Sequence, residues 1–198
     1  MKKKIFIVLI IMLLVVTGCS SKKENKKGDS KLMQGKHHVE INVKDYGTIK
    51  VELDADEAPE TVTNFVKLTK SGFYDGLTFH RIIKGFMIQG GDPNHDGTGG
   101  AKETIKGEFT ENGVSNNISH VRGTISMARA QDPNSASSQF FIVQKDSTYL
   151  DGSYAGFGKV TSGMDIVDKI CDDVKTEDDN GTVKEENQPV IESIKFID

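Results

Sequence analysis

Two runs of the chain alternate strictly between apolar and polar residues. In "VEINV", Val39, Ile41 and Val43 take every second place, and in "IKVEL", Ile49, Val51 and Leu53 do the same. A period of two puts each set on one side of a strand, so the two runs read as half-buried strands, with Asp45-Tyr46-Gly47 as the turn between them. The period then changes. Val62, Phe65, Val66 and Thr69 fall at i, i+3, i+4 and i+7, one face of a helix that Pro59 starts and Gly72 stops. Strand-like runs return at "LTFHRII", "FMIQ", "TISMAR", "QFFIVQ" and "AGFGKV". A second short helix carries Ile166, Val167 and Ile170, and "VIESIKFI" closes the chain as a strand. Many short strands, two helices and no βαβ alternation point to an antiparallel barrel or sandwich. The polar run "KTEDDNGTVKEENQ" before the last strand reads as a solvated loop.

The N-terminus is of a different kind. Lys2, Lys3 and Lys4 precede 12 apolar residues, Ile5 to Val16, a run shorter than a comfortable membrane span. Val16-Thr17-Gly18-Cys19 follows, and the whole resembles a bacterial lipoprotein signal peptide. That resemblance implies removal of residues 1–18, lipidation of Cys19 with acyl chains such as palmitate, and an extracytoplasmic protein lipid-anchored to the cell membrane. The alternative is an uncleaved anchor helix with an incidental cysteine. "SSKKENKKGDSK" has no apolar residue and cannot offset the entropy of ordering, so residues 19–35 read as a lipidated cysteine and flexible tether. Residues 36–198 have the size of one domain.

Composition narrows the chemistry. The formal charge is −4, about −7 without the three signal lysines, and no arginine-rich run occurs, which argues against nucleic acid. Outside Cys19 the single cysteine is Cys171, which allows no disulfide within the domain and reads as a small apolar residue. The histidines (His37, His38, His80, His95 and His120) form no HExxH or Cys-His pattern, so neither a metal nor another cofactor is expected. "GTGG" lacks the ending of a phosphate loop. Ser126, Ser137 and Ser138 lie in no nucleophile-elbow motif. What stands out is Arg81, Phe86, Met87 and Gln89 in "FHRIIKGFMIQGGDP", and Gln139, Phe140 and Phe141 in "SQFFIVQ". If these runs are extended, one face shows apolar walls beside amide groups.

In order along the chain, "FHRIIKGFMIQGGDP", "GTGG", "RGTISMARA", "DPNSASSQFFIV" and "YLDGSYAGFGKV" resemble the cyclophilin-type peptidyl-prolyl isomerases from about Val39 onward. The resemblance implies a closed antiparallel β-barrel of about eight strands capped by two α-helices. It implies catalysis of X–Pro rotation with no covalent intermediate. Arg81 matches the catalytic arginine, and Gln89 the glutamine that orients it and contacts the substrate backbone. Phe86, Met87, Phe141 and Leu150 match the proline pocket, while Gly97, Ala128 and Gln139 match the peptide groove. His80 reads as structural.

Three positions depart from many eukaryotic members: Tyr149 replaces a tryptophan, Tyr154 a pocket-edge histidine, and Arg129 an asparagine. Loss of the indole donor at Tyr149 implies weak cyclosporin binding, while Tyr154 still closes the pocket. The expected partners are proline-containing polypeptides, and the expected form is a monomer. The leading reading is an isomerase assisting the folding of exported proteins. The alternatives are a proline-peptide-binding chaperone or docking module with little turnover and, disfavoured by the single compact domain, a transporter's solute receptor.

Overall fold

The computed structural model describes residues 31–198; the signal segment 1–18, Cys19 and the tether as far as residue 30 lie outside the described residues. Met33 and Gly35, at the end of the expected tether, donate backbone hydrogen bonds to Thr63 Oγ1 at 2.9 Å and Asp56 Oδ1 at 2.8 Å.

The alternating runs form a hairpin of β1 (Lys36–Val43) and β2 (Gly47–Asp54). Val39 faces Val51 and Ile41 faces Ile49 across the ladder, and all four are buried. Asp45 takes a φ of 64° in the turn, a conformation Asp tolerates better than most residues. Helix α1 (Pro59–Lys70) buries the four residues of the expected stripe. Its N-terminus is capped from a distance: the Glu108 carboxylate accepts hydrogen bonds from Glu60 N and Thr61 N at 2.9 and 2.8 Å. A buried anion there satisfies two otherwise unpaired donors and meets the positive end of the helix dipole. Phe65 carries α1 into the core, 5.0 to 5.5 Å ring to ring from Tyr74, Phe140 and Phe157.

The remaining strands are β3 (Phe79–Ile83), β4 (Met87–Gly90), β5 (Thr124–Met127), β6 (Phe140–Val143), β7 (Gly156–Ser162) and β8 (Ile191–Phe196), with α2 (Met164–Asp173) before the last. They form one antiparallel sheet in the order β3-β4-β6-β5-β7-β2-β1-β8. Backbones pass closely at Gly158, where a Cβ would lie 3.0 Å from Leu53 Cα. On α2, Val167, Ile170 and Cys171 are buried, and burial pushes the Cys171 thiol up to about 12.

Two expectations need correction. The barrel is not closed: eight strands make a curled sheet whose end strands, β3 and β8, do not pair as a ladder. An isolated bridge, Thr78 to Val190, joins the ends, flanked by bonds from Ile191 N to Leu77 O at 2.7 Å and from Phe79 N to Pro189 O at 3.0 Å. Pro189 has no N–H to extend the pairing. The segment 175–188 is more than a solvated loop. It buries Val183 and Gln188, and Gly181 O accepts from Ile82 N at 2.8 Å, which docks it onto β3.

Candidate active site

Strand register assembles the site. Arg81 on β3 stands opposite Gln89 on β4, Gln89 opposite Phe141 on β6, and Phe141 opposite Ser126 on β5. The adjacent row is Ile82, Ile88, Ile142 and Ile125, all buried in the main core. Neighbouring residues of a strand point to opposite faces, so burying the isoleucine row turns the Arg81 row to the other side of the sheet. There Met87, Phe141 and Val143 form a second, smaller apolar cluster, against which Phe86, Ala128, Leu150 and Tyr154 pack.

A cavity of about 760 Å³ opens over this cluster, walled on the apolar side by Phe86, Met87, Phe141, Leu150 and Tyr154. Arg81 stands between those walls and a polar side formed by His80, Gly97 and the 177–188 loop. Its guanidinium is gripped from two directions. Nη1 donates to Gln89 Oε1 at 3.2 Å, Nε to Asn180 O at 2.8 Å and Nη2 to Asn180 Oδ1 at 3.1 Å. Three of the five N–H groups are thus committed and two remain. Arg81 has no carboxylate partner among the described residues, and partial burial lowers its pKa from the ordinary value. An arginine stays protonated under that effect.

The amide relay continues. Gln89 Nε2 donates to Gln139 Oε1 at 2.9 Å, and Gln139 Nε2 donates to the carbonyls of Gly97 and Gly99 at 3.0 and 2.8 Å. Gly97, Ala128 and Gln139 line a neighbouring hollow of about 240 Å³. Tyr149 lies at the rim, 72% exposed, with its ring 6.0 Å from Phe86.

Behind the pocket, His120 Nδ1 lies 2.9 Å from Asp151 Oδ1 and its Nε2 lies 2.9 Å from Ser126 Oγ. The order Ser-His-Asp is that of a hydrolase, but Ser126 is 0% exposed and so closed to an attack on substrate. The His120 ring instead supports Phe141, stacked at 6.0 Å. Burial pulls the His120 pKa down against the pull of Asp151, so the ring is neutral at neutral pH. Burial would raise the Asp151 carboxyl, but hydrogen bonds from Ser119 and His120 outweigh it and hold it below the usual range. His80, 4% exposed, has no partner for either ring nitrogen among the described residues, and burial lowers its pKa too. Among the described residues, no group of three His, Cys, Asp or Glu is placed to hold a metal ion.

Asn180 is the site residue that sequence reasoning missed. It lies 99 positions from Arg81, in a polar run with no periodicity, and only the tertiary contact reveals it.

Residues 38–195 match the profile of the family described as cyclophilin type peptidyl-prolyl cis-trans isomerase/CLD. Peptidyl-prolyl cis-trans isomerase A of Dickeya dadantii is 43% identical over 157 residues, covering 76% of this chain and 80% of that protein. A crystal structure of a cyclophilin type peptidyl-prolyl cis-trans isomerase from Cryptosporidium parvum matches with a TM-score of 0.72 at 30% identity, covering 83% of this chain and 99% of that one. A second structure of that protein, in the presence of the dipeptide Ala-Pro, matches at 0.71 and 32% identity over 81% and 99% of the two chains.

Proposed function

The chain belongs to the cyclophilin-type peptidyl-prolyl cis-trans isomerase family, and on that premise we propose that Arg81 is the group through which it accelerates X–Pro rotation. The isomerase activity is that of the family; the residue roles and the cellular setting are our reading. Rotation about an amide makes and breaks no covalent bond to the enzyme. Resonance keeps the amide planar, and twisting it costs about 18–20 kcal/mol. As conjugation is lost, the lone pair localises on the proline nitrogen, which becomes a hydrogen-bond acceptor. A donor aimed there favours the twisted amide over both planar isomers, and so lowers the barrier in both directions.

The observation that carries this role is the state of the Arg81 guanidinium: half-buried, unpaired by any carboxylate among the described residues, held by Gln89 and Asn180, with two N–H groups left beside an apolar pocket. In this reading the proline ring enters between Phe86, Met87, Phe141, Leu150 and Tyr154. Gln89, Gln139, Ala128 and Gly97 hold the flanking backbone. The relative solved in the presence of Ala-Pro supports a proline peptide as the ligand.

The clients are exported proteins, and the enzyme works outside the cytosol on a lipid anchor at Cys19; the support is the lysine, apolar and Val16-Thr17-Gly18-Cys19 sequence. The direct test of the activity is the interconversion rate of an X–Pro peptide with and without the purified protein. Catalytic acceleration is expected, and an unchanged rate contradicts the reading.

A further inference from the structure

We propose that Arg129 is a positioning residue for the proline pocket, clamping the loop that carries Tyr154 so that the tyrosine ring stays in place as the outer wall. This rests on the proline-pocket reading above and extends it to Arg129, which borders the cavity and holds one of its walls.

Two walls of the pocket, Leu150 and Tyr154, bracket a short loop, residues 151–153. Each end of that loop has its own anchor. At the Leu150 end, Asp151 accepts hydrogen bonds from His120 N at 2.7 Å and Ser119 Oγ at 2.6 Å. At the Tyr154 end the anchor is Arg129. Its Nε and Nη2 both donate to the Ser153 carbonyl, at 3.0 and 2.9 Å, while Nη1 donates to Ala130 O at 2.9 Å and Gln131 O at 3.3 Å.

The same guanidinium lies between two aromatic faces. Its central carbon is 4.8 Å from the Tyr154 ring centre and 5.1 Å from that of Phe109. Tyr154 then meets Phe141 edge to face, at 6.0 Å and 85°. Stacking, carbonyl bonds and the pocket wall are therefore one connected unit. Arg129 has no ion pair among the described residues, so its charge is directed entirely at carbonyl oxygens and ring faces. A planar fork can bond one carbonyl twice while stacking on a ring; a lysine ammonium cannot do both. Arg129 and Tyr154, each a departure from the pattern of many eukaryotic relatives, are thus in contact.

Loosening this clamp lets the Tyr154 wall move while Arg81 keeps its grip from Gln89 and Asn180. Peptide binding then suffers and the rotation step does not. The test is to measure kcat, KM and thermal unfolding for the purified wild type, Arg129→Met, Arg129→Lys, Tyr154→Ala and the Arg129→Met/Tyr154→Ala pair. The expected result is a KM raised about tenfold in Arg129→Met with kcat within about twofold of wild type, from the stacking and carbonyl bonds lost. Lysine should not rescue it, and the paired variant should be no worse than Tyr154→Ala alone. Rescue by lysine, additive losses in the paired variant, or an equal fall in kcat overturns the clamp. Should Arg129→Met fail to fold, Arg129→Lys carries the same test. An inactive wild type contradicts the isomerase reading itself, whereas an active wild type matched by Arg129→Met contradicts this proposal alone.

Discussion

Asn180 holds Arg81 twice, with its backbone carbonyl 2.8 Å from Nε and its side-chain oxygen 3.1 Å from Nη2. The backbone contact survives any substitution and the side-chain contact does not. Removing one hydrogen bond to a charged group in Asn180→Ala is expected to lower kcat about tenfold, with KM little changed. Asn180→Asp keeps an accepting oxygen but gives Arg81 the carboxylate partner it lacks, so it should not restore the full rate. Steady-state kinetics of the three proteins check this; equal kcat in wild type and Asn180→Ala removes Asn180 from the account.

Sequence patterns revealed most of the frame. The β1–β2 hairpin and the α1 stripe follow from periodicity, because the buried face fixes which residues are apolar. The Arg81, Gln89 and Phe141 row was legible through the spaced motifs. What the sequence hid are contacts between distant polar residues: Asn180 on Arg81, Glu108 on the start of α1, and Arg129 under Tyr154. A polar side chain that bonds a remote partner has the same local signature as one that bonds water. The open seam between β3 and β8 was hidden for a related reason, since it turns on where Pro189 lands against Phe79.

Acid should weaken the fold through its buried histidines. His80 and His120 both have pKa values lowered by burial, below the ordinary value of about 6.5. Below that value the unfolded chain takes up protons that the folded chain refuses, so stability falls as pH drops from about 6.5 toward the lowered folded values. Asp151, also lowered, contributes stability that is lost only in stronger acid, as pH falls through its folded value. Thermal unfolding between pH 7 and 5 should show the loss. His120→Gln should flatten the slope; an unchanged slope contradicts the assignment to His120.

The membrane anchor has its own check. If residues 1–18 are removed and Cys19 is lipidated, Cys19→Ala should release the protein from the membrane fraction or stall its processing. Mass spectrometry of the mature wild-type protein should find acyl chains on Cys19; an unmodified thiol there contradicts the lipoprotein reading.

Tyr149 sets an expectation for cyclosporin. The exposed phenol at the rim replaces an indole donor, and one hydrogen bond is worth on the order of 1 kcal/mol. Titration should therefore find the wild type binding several-fold more weakly than Tyr149→Trp. Equal affinities would show that the indole is not the missing contact.

The central claim is that the two uncommitted N–H groups of Arg81 act on the twisted amide and not on the resting peptide. The most direct measurement compares wild type and Arg81→Ala in kcat/KM on an X–Pro peptide, in peptide affinity by titration, and in thermal unfolding. A well-placed transition-state donor is worth about 3 to 4 kcal/mol, so the rate should fall about a hundredfold to a thousandfold. Affinity and unfolding temperature should stay near those of wild type. Normal turnover in a folded Arg81→Ala protein, or a rate loss matched by an equal loss of affinity, contradicts the claim.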